Sequence, residues 1–278
     1  MSDIVLSAGV RSNLLQLQQT SDLITQTQTR LATGKKVNSA LDNAINFFTA
    51  QGLDNRANDL SSLLDSMSNA INTIQAANNG ITAITKLVQS QQSLASQALQ
   101  TSDTNVRATL ASQFDALTTQ IAQLASDSGF NGVNLLAGNT LTVTLDETGS
   151  STTSVTGVDY STVANVQTNL TIDSAVSAHA NWATSTDIQA SSAVLTTALT
   201  DLRSESQTLS ANLSTVQIRQ DFTKATINTL QTGSADLTLA DSNQEGANLL
   251  ALQTRQQLST TALSLASQAD QNVLRLFQ

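Results

Sequence analysis

The stretch LDNRANDLSSLLDSMSNAINTIQAANNGITAITKLV, residues 53–88, decides the fold of this chain. Its apolar residues recur at alternating steps of four and three, which places them in one stripe along an α-helix. The stripe consists of Leu53, Ala57, Leu60, Leu64, Met67, Ile71, Ile74, Asn78, Ile81, Thr85 and Val88. This repeat predicts a helix well beyond the three turns of an average globular helix, packed through a coiled-coil seam. We expect its weakest point at Asn78-Asn79-Gly80.

The same spacing recurs at both ends of the chain, where nothing usually holds a terminus in place. Near the start, a helix is predicted to end at Gly34, which suits a left-handed cap. Its stripe is Val10, Leu14, Leu17, Ser21, Ile24, Gln28 and Leu31. At the other end, the stripe is Leu258, Ala262, Leu265, Ala269 and Leu276, broadened by Ala266, Val273 and Phe277. Secondary apolar positions outside the two stripes are Leu15, Leu23, Leu263 and Leu274.

Shorter elements are predicted after the long helix. Asp103 suits the N-cap of a second helix that continues to Leu124. The period-two alternation of residues 141–145 predicts a strand. Residues 146–187 are rich in Ser, Thr, Val and Gly, and their pattern leaves short strands and irregular surface structure both open.

Helical spacing resumes at Ile188 and runs to Leu230. We expect a break from Gly233 to Gly246 and a last helix that begins near Asn248. The chain contains no proline, the residue that breaks helix interiors, and this absence permits long helices. The sequence therefore predicts a mainly α fold: a long antiparallel helical coiled-coil rod with its N- and C-terminal helices paired, plus a small β-containing insertion.

Composition excludes several classes of protein. The formal net charge of −9 argues against nucleic acid or an anionic membrane as a partner. The chain has no cysteine, so disulfides and thiolate metal sites are excluded. No run of 18 apolar residues is present, and we expect no membrane span. Asp3 lies where a signal peptide needs positive charge, so the general secretory route is not expected.

The residues of catalytic chemistry are sparse. His179 is the only histidine and lies in the Ser/Thr-rich middle, where a surface position explains it better than a role as ligand or base. Asp146-Glu147 is the nearest approach to a carboxylate pair, and a solvated turn explains it better. No phosphate-binding glycine loop occurs. We therefore predict no enzymatic activity, no cofactor and no metal.

The apolar stripes at the two ends predict contacts beyond the chain itself. A two-helix hairpin buries only one face of each helix and is marginal alone. We therefore expect other copies of the same chain to cover the rest. The predicted assembly interface consists of Val10, Leu14, Leu17, Ile24, Leu31, Leu258, Ala262, Leu265, Ala269, Val273 and Leu276.

Three motifs resemble those of bacterial flagellins. Residues 30–44, RLATGKKVNSALDNA, resemble the family's N-terminal motif, and residues 130–136, FNGVNLL, are similar to its Phe-Asn-Gly turn. Residues 271–277, QNVLRLF, are similar to its terminal Gln-Asn-Val-Leu stretch. The motifs keep family order and spacing, and the resemblance covers 1–142 and 187–278. Positions that depart from the family pattern are Leu41, Ile45, Asn46 and Gln278.

The resemblance implies a structural subunit that self-assembles into the flagellar filament for swimming motility, secreted to the cell exterior. The three domains it implies are a terminal helical domain lining the filament core (1–41 and 240–278), a long-helix wall (42–142 and 187–239, with a β-turn or hairpin near 130–145) and a variable outward-facing segment (143–186). The implied partners are further copies in a homopolymer, the flagellar export apparatus and a chaperone, and the hook-junction and cap proteins.

Two alternative functions remain open. One is the hook–filament junction protein, a relative that shares the terminal helices; the other is a secreted adhesin or receptor ligand on a helical stalk. The QNVL ending and the short middle favour the filament subunit.

The resemblance also places a receptor-recognition patch. The flagellin-sensing Toll-like receptor contacts a family patch of sequence Arg-Glu-Leu-Ala-Val-Gln, and spacing from the Phe-Asn-Gly turn aligns it with residues 92–97, QSLASQ. Leu94 is kept, whereas Gln92 replaces the Arg and Ser93 replaces the Glu. Because neutral Gln lacks the charged donor fork of Arg, the patch is predicted to be degenerate. Ordinary solvated helix positions are the alternative explanation.

Overall fold

The computed structural model describes residues 8–276; in the last helix, the side chains of Asp270 and residues 273–276 lie outside the described set. The elements are α1 (Ala8–Thr33), α2 (Ala44–Gln100), α3 (Thr104–Asp127), β1 (Thr140–Thr144), β2 (Thr152–Thr156), α4 (Val163–Asn169), α5 (Ser185–Thr238) and α6 (Ser242–Leu276), with a short turn at Ala180–Trp182. The predicted mainly α fold with paired long helices and a small β insertion is confirmed.

The chain divides into two compact units. One holds the described residues up to Arg56 together with those from Asn228 onward, and the second holds Ala57–Ile227. In the first unit, α1 and α6 pack side by side. Gly34 ends α1 with a φ of 69°, as its sequence context predicts, and its carbonyl accepts from the backbone N–H of Ala240 at 3.0 Å.

In the second unit, α2 buries two stripes. The predicted seam runs antiparallel to α5, where Ser206 Oγ donates to Asn78 Oδ1 at 2.7 Å. A second stripe packs on α3, where Gln91 Nε2 donates to the Phe114 carbonyl at 3.1 Å and to Thr118 Oγ1 at 2.8 Å. Sequence reasoning missed this second stripe because alanine, threonine and glutamine form much of it. Its buried members are Ala70, Thr73, Ala77, Gly80, Ile84, Gln91, Ala95 and Ala98, of which Ala70 and Thr73 lie beside Phe130 and Val133, beyond the end of α3.

The expected weak point of α2 is instead a position of close contact. The helix continues unbroken through Asn78-Asn79-Gly80. A Cβ on Gly80 would lie 2.3 Å from Ser128 Oγ and 2.7 Å from Leu136 Cδ1. Glycine is therefore needed here because the end of α3 and the following loop come too close for any side chain.

The middle of the chain contributes to the core of the second unit. β1 and β2 form an antiparallel hairpin in which Leu141 pairs with Val155, so the predicted strand at 141–145 is confirmed to within one residue. Beyond the hairpin, Tyr160, Leu170 and Ile172 are buried. The segment that the sequence left open as strands or irregular surface structure thus holds a hairpin strand, a short helix and buried core residues.

Trp182 anchors the end of this middle segment. Ala180, Asn181 and Trp182 have φ values of 46°, 58° and 59°, a left-handed turn that costs about 1–2 kcal/mol per non-glycine residue. The fully buried indole offsets this cost: its ring packs edge-on against Phe114 at a centroid distance of 5.3 Å. Trp182 Nε1 donates to Ser191 Oγ at 2.9 Å.

The expected break from Gly233 to Gly246 is much shorter than predicted. Helix α5 passes through Gly233 and ends at Thr238, and α6 begins at Ser242 rather than near Asn248. Asp241 caps α6, since its Oδ1 accepts from the backbone N–H groups of Asn243 and Gln244 at 2.9 and 3.2 Å. The sequence analysis missed this cap, although an Asp ahead of a helical segment is a common N-cap signal.

Candidate functional site

The face of α1 that packs on α6 is partly polar. Val10 and Ile24 of the predicted interface are buried there, whereas Leu14 is exposed. Thr20 and Thr27 are buried on the same face, in place of the predicted Ser21 and Gln28. The Thr20 hydroxyl donates to the Gln16 carbonyl at 2.8 Å, so its burial leaves no unpaired donor. Counting such self-satisfied threonines as apolar would have predicted the seam.

The face of α6 that packs on α1 is also displaced from the predicted stripe. The half-buried residues are Leu249, Leu252, Gln256, Ser259, Leu263 and Ala266. Leu258 and Leu265, the main leucines of the predicted stripe, are 66% and 62% exposed. Leu263, assigned a secondary position by sequence, instead faces the seam. The spacing of apolar residues did not predict this seam because two of its positions, Gln256 and Ser259, are polar.

The remaining residues of the predicted assembly interface are either half-buried or exposed. Leu17 and Leu31 are half-buried, and Ala262 and Ala269 are exposed. The side chains of Val273 and Leu276 lie outside the described residues. Rows of leucines thus remain uncovered on the terminal helices; these exposed terminal leucines are Leu14, Leu15 and Leu23 of α1 and Leu250, Leu258 and Leu265 of α6.

An ion pair ties α1 to the start of α6. Arg30 Nη1 lies 3.2 Å from Glu245 Oε1, and Glu245 is buried. Glu245 lies in the first turn of α6 and Arg30 in the last turn of α1, so each charge also faces the favourable pole of its own helix. The pair therefore fixes the two helices in one relative position along their seam.

The loop from Lys35 to Asn43 is ordered by one carboxylate. Asp42 accepts from the backbone N–H groups of Asn38 and Ser39 at 3.0 and 2.9 Å, and these bonds hold the pKa of Asp42 below its ordinary value. Leu41, Ile45 and Phe48 beside it are exposed. The family departures at positions 41 and 45 thus lie outside the core of this chain.

The predicted receptor patch lies on α2 beside α3. Ser93 is exposed, and Gln92 and Leu94 are half-buried. Leu94 and Ser93 line a shallow groove together with Gln113 and Leu117 of α3. Leu94 also packs against the core of the second unit, and Gln97 Nε2 donates to Ser93 Oγ within the helix at 3.4 Å.

Within the described residues, no three His, Asp or Glu side chains come together as a possible metal site. His179 is half-buried and precedes the left-handed turn. None of the described helices combines the length and the apolarity needed to cross a membrane. What the described surface offers instead is uncovered leucine on paired terminal helices, which is typical of a helical protein that assembles with further subunits.

Comparison with known proteins identifies the family to which this chain is similar. The bacterial flagellin N-terminal helical region matches residues 8–140, and its C-terminal helical region matches residues 192–277. Flagellin FljK of Caulobacter vibrioides is 33% identical over 284 residues, covering 100% of this chain and 99% of FljK. Flagellin FljM of the same species is 30% identical with the same coverage. A flagellin of Brucella melitensis is 28% identical, with all of both chains covered.

The chain belongs to the bacterial flagellin family and is a structural subunit of the flagellar filament. Membership implies self-assembly into an extracellular filament, and the family is structural rather than enzymatic. Nothing in these matches favours the junction protein or the adhesin.

Proposed function

We propose that the exposed terminal leucines are the surface through which copies of this chain hold one another in the filament. The observation that carries the proposal is the exposure of Leu258 and Leu265, 66% and 62%, on a helix whose other face is already packed on α1. Burying one leucine side chain contributes about 1.5–3 kcal/mol. Six such side chains in each subunit therefore supply a strong drive to assemble.

The test compares two carboxylates placed one residue apart on α6. Leu265→Asp buries an unpaired charge in the proposed interface, which is costly, whereas Ser264→Asp adds the same charge at an exposed polar position. We expect Leu265→Asp, like deletion of residues 258–278, to leave soluble monomers after sulfate is added to promote polymerisation. Ser264→Asp should form filaments under negative-stain microscopy. Normal filaments from Leu265→Asp would overturn the proposal.

The domain assignment is part of this proposal. Residues 1–41 and 240–278 line the filament core, and the long helices of 42–142 and 187–239 form the wall. The pairing of α1 with α6 supports the first assignment. Residues 143–186 are proposed to face outward; their buried members, such as Trp182, restrict that role to the exposed hairpin turn and neighbouring surface.

We further propose that the subunit reaches the filament through the flagellar export apparatus, with a chaperone before export and the hook-junction and cap proteins as contacts during assembly. Family membership supports these partners. Deleting the export gate from a producing strain should keep the chain inside the cell, as immunoblots of supernatant and cell fractions would show. Undiminished secretion by that strain would contradict the route.

Poor stimulation of the flagellin-sensing Toll-like receptor is the last proposal. Gln92 and Ser93 place neutral side chains where the family has an Arg and a Glu, and losing an Arg anchor from an interface centre costs about 2 kcal/mol or more. Monomer should activate receptor-expressing reporter cells weakly. The double variant Gln92→Arg, Ser93→Glu should gain activity, whereas strong signalling by the unaltered protein would defeat the hypothesis.

A further inference from the structure

The chain contains two Asn-Gly dipeptides, Asn79-Gly80 and Asn131-Gly132. Asparagine before glycine is open to a reaction that needs only water. The backbone nitrogen of the glycine loses its proton and attacks the asparagine Cγ, and the new C–N bond closes a succinimide ring as ammonia leaves. Water then opens either carbonyl of the ring, which yields aspartate or isoaspartate. Glycine permits the attack because no side chain obstructs the approach of its nitrogen.

The structure leaves Asn131-Gly132 free to react. Both residues are exposed at the tip of a two-residue turn, which Phe130 and Val133 close with reciprocal backbone hydrogen bonds of 2.9 and 3.0 Å. Among the described residues, neither the side-chain amide of Asn131 nor the backbone N–H of Gly132 has a hydrogen-bond partner. A Cβ built on Gly132 would meet nothing within 4 Å. Neither the attacking nor the leaving nitrogen is therefore held by a hydrogen bond among the described residues.

The structure protects the other dipeptide. Asn79-Gly80 lies in the interior of α2, where helical hydrogen bonding holds the backbone nitrogen of Gly80. Gly80 is buried, with Ser128 and Leu136 packed against its Cα. Ring closure would require α2 to open against its packing on the end of α3. The same dipeptide thus occurs once in a reactive and once in an unreactive setting within one chain.

We propose that Asn131 is a site of spontaneous deamidation, converted in the folded subunit to a mixture of aspartate and isoaspartate, while Asn79 is preserved. Either product adds a negative charge at the turn. Isoaspartate also adds a backbone methylene between Phe130 and Val133, which separates the donor and acceptor groups of the two reciprocal bonds. The turn therefore changes chemically and structurally as the protein ages.

The test incubates the intact soluble subunit at mildly alkaline pH and at mildly acidic pH for equal times. Proteolytic digestion with mass spectrometry then measures the replacement of NH₂ by OH at each asparagine. Enzymatic methylation of isoaspartyl groups with a labelled methyl donor identifies the branched product. We expect Asn131 to deamidate at least about tenfold faster than Asn79 in the folded protein, and faster at the alkaline pH.

Urea-denatured protein supplies the matched control, since both dipeptides are then equally exposed. The two asparagines should deamidate at similar rates in urea, and the difference between them should reappear on refolding. An Asn131→Asp variant provides the mass and migration standard for the unbranched product. Deamidation of Asn79 as fast as Asn131 in the folded subunit, or an unmodified Asn131 there while urea exposes both, would overturn the proposal.

Discussion

Arg107 is a buried cation whose hydrogen bonds all go to neutral oxygens. Its guanidinium donates to the carbonyls of Ala98, Thr101 and Ala183 at 3.2, 2.8 and 3.2 Å, and to Ser185 Oγ at 3.2 Å. The first two carbonyls belong to the end of α2 and the loop after it, where the helix leaves acceptors unpaired. One side chain therefore caps α2 and holds the start of α5 beside it.

Replacing Arg107 with methionine should destabilise the second unit by about 2–3 kcal/mol, because methionine keeps the apolar stem but leaves buried carbonyls unpaired. Urea unfolding of the monomer, followed by the fluorescence of the buried Trp182, would measure the loss. Arg203→Met is the matched control at an exposed position. An equal and small effect of both substitutions would show that the Arg107 bonds contribute little.

Helix α2 contains two glycines in opposite environments. Gly52→Ala adds a methyl group where nothing lies within 4 Å, so improved helix propensity should stabilise the protein by about 0.5–1 kcal/mol. Gly80→Ala drives a methyl group into Ser128 and Leu136, and overpacking should outweigh propensity with a net loss of about 1–2 kcal/mol. Thermal unfolding of both variants provides the comparison; stabilisation by both would contradict the close approach at Gly80.

The β1–β2 hairpin limits where the middle of the chain accepts insertions. Gly149 lies in an exposed turn with a φ of 72° and open space around it, so a short peptide tag placed after it should leave filaments intact. The same tag after Leu170, which is fully buried, should prevent folding of the second unit. Filament yield and monomer circular dichroism separate the outcomes. Loss of assembly on tagging at Gly149 would make the hairpin turn a structural contact.

At the scale of the whole chain, the terminal helices are the least stabilised part. Among the described side chains of the α1–α6 seam, the buried apolar ones are Val10 and Ile24, and the seam also includes buried threonines. Because the pair buries so little apolar area, it should open far more often than the second unit and order fully only against neighbours. Limited proteolysis should trim the free subunit to a core of roughly 45–235 and spare the filament. Equal protection in both states would count against this difference.

The sequence predicted a helix–helix seam well where the seam is apolar, and poorly where the seam includes polar residues. In α2, leucine and isoleucine mark the contact with α5 directly, and the prediction of that stripe succeeded. In α1 the seam includes the polar residues Thr20 and Thr27, and in α6 it includes Ser259. Because the prediction followed apolar residues alone, it selected Leu258 and Leu265 of α6, which face away from the seam. The left-handed turn at Ala180–Trp182 gave no local signal, since only the tertiary packing of the indole offsets its strain.

The hydrogen bonds of Arg107 have a consequence for how stability depends on ionic strength. In the second unit, Arg107 bonds to carbonyl oxygens, and Asp115 accepts from the Ser174 hydroxyl and the Ala175 backbone N–H at 2.6 and 2.7 Å. Dissolved ions screen pairs of opposite charges that are exposed to solvent, and affect buried charge–dipole contacts of this kind much less. The contribution of these two contacts to the stability of the second unit should therefore be nearly the same in fresh water and in brine.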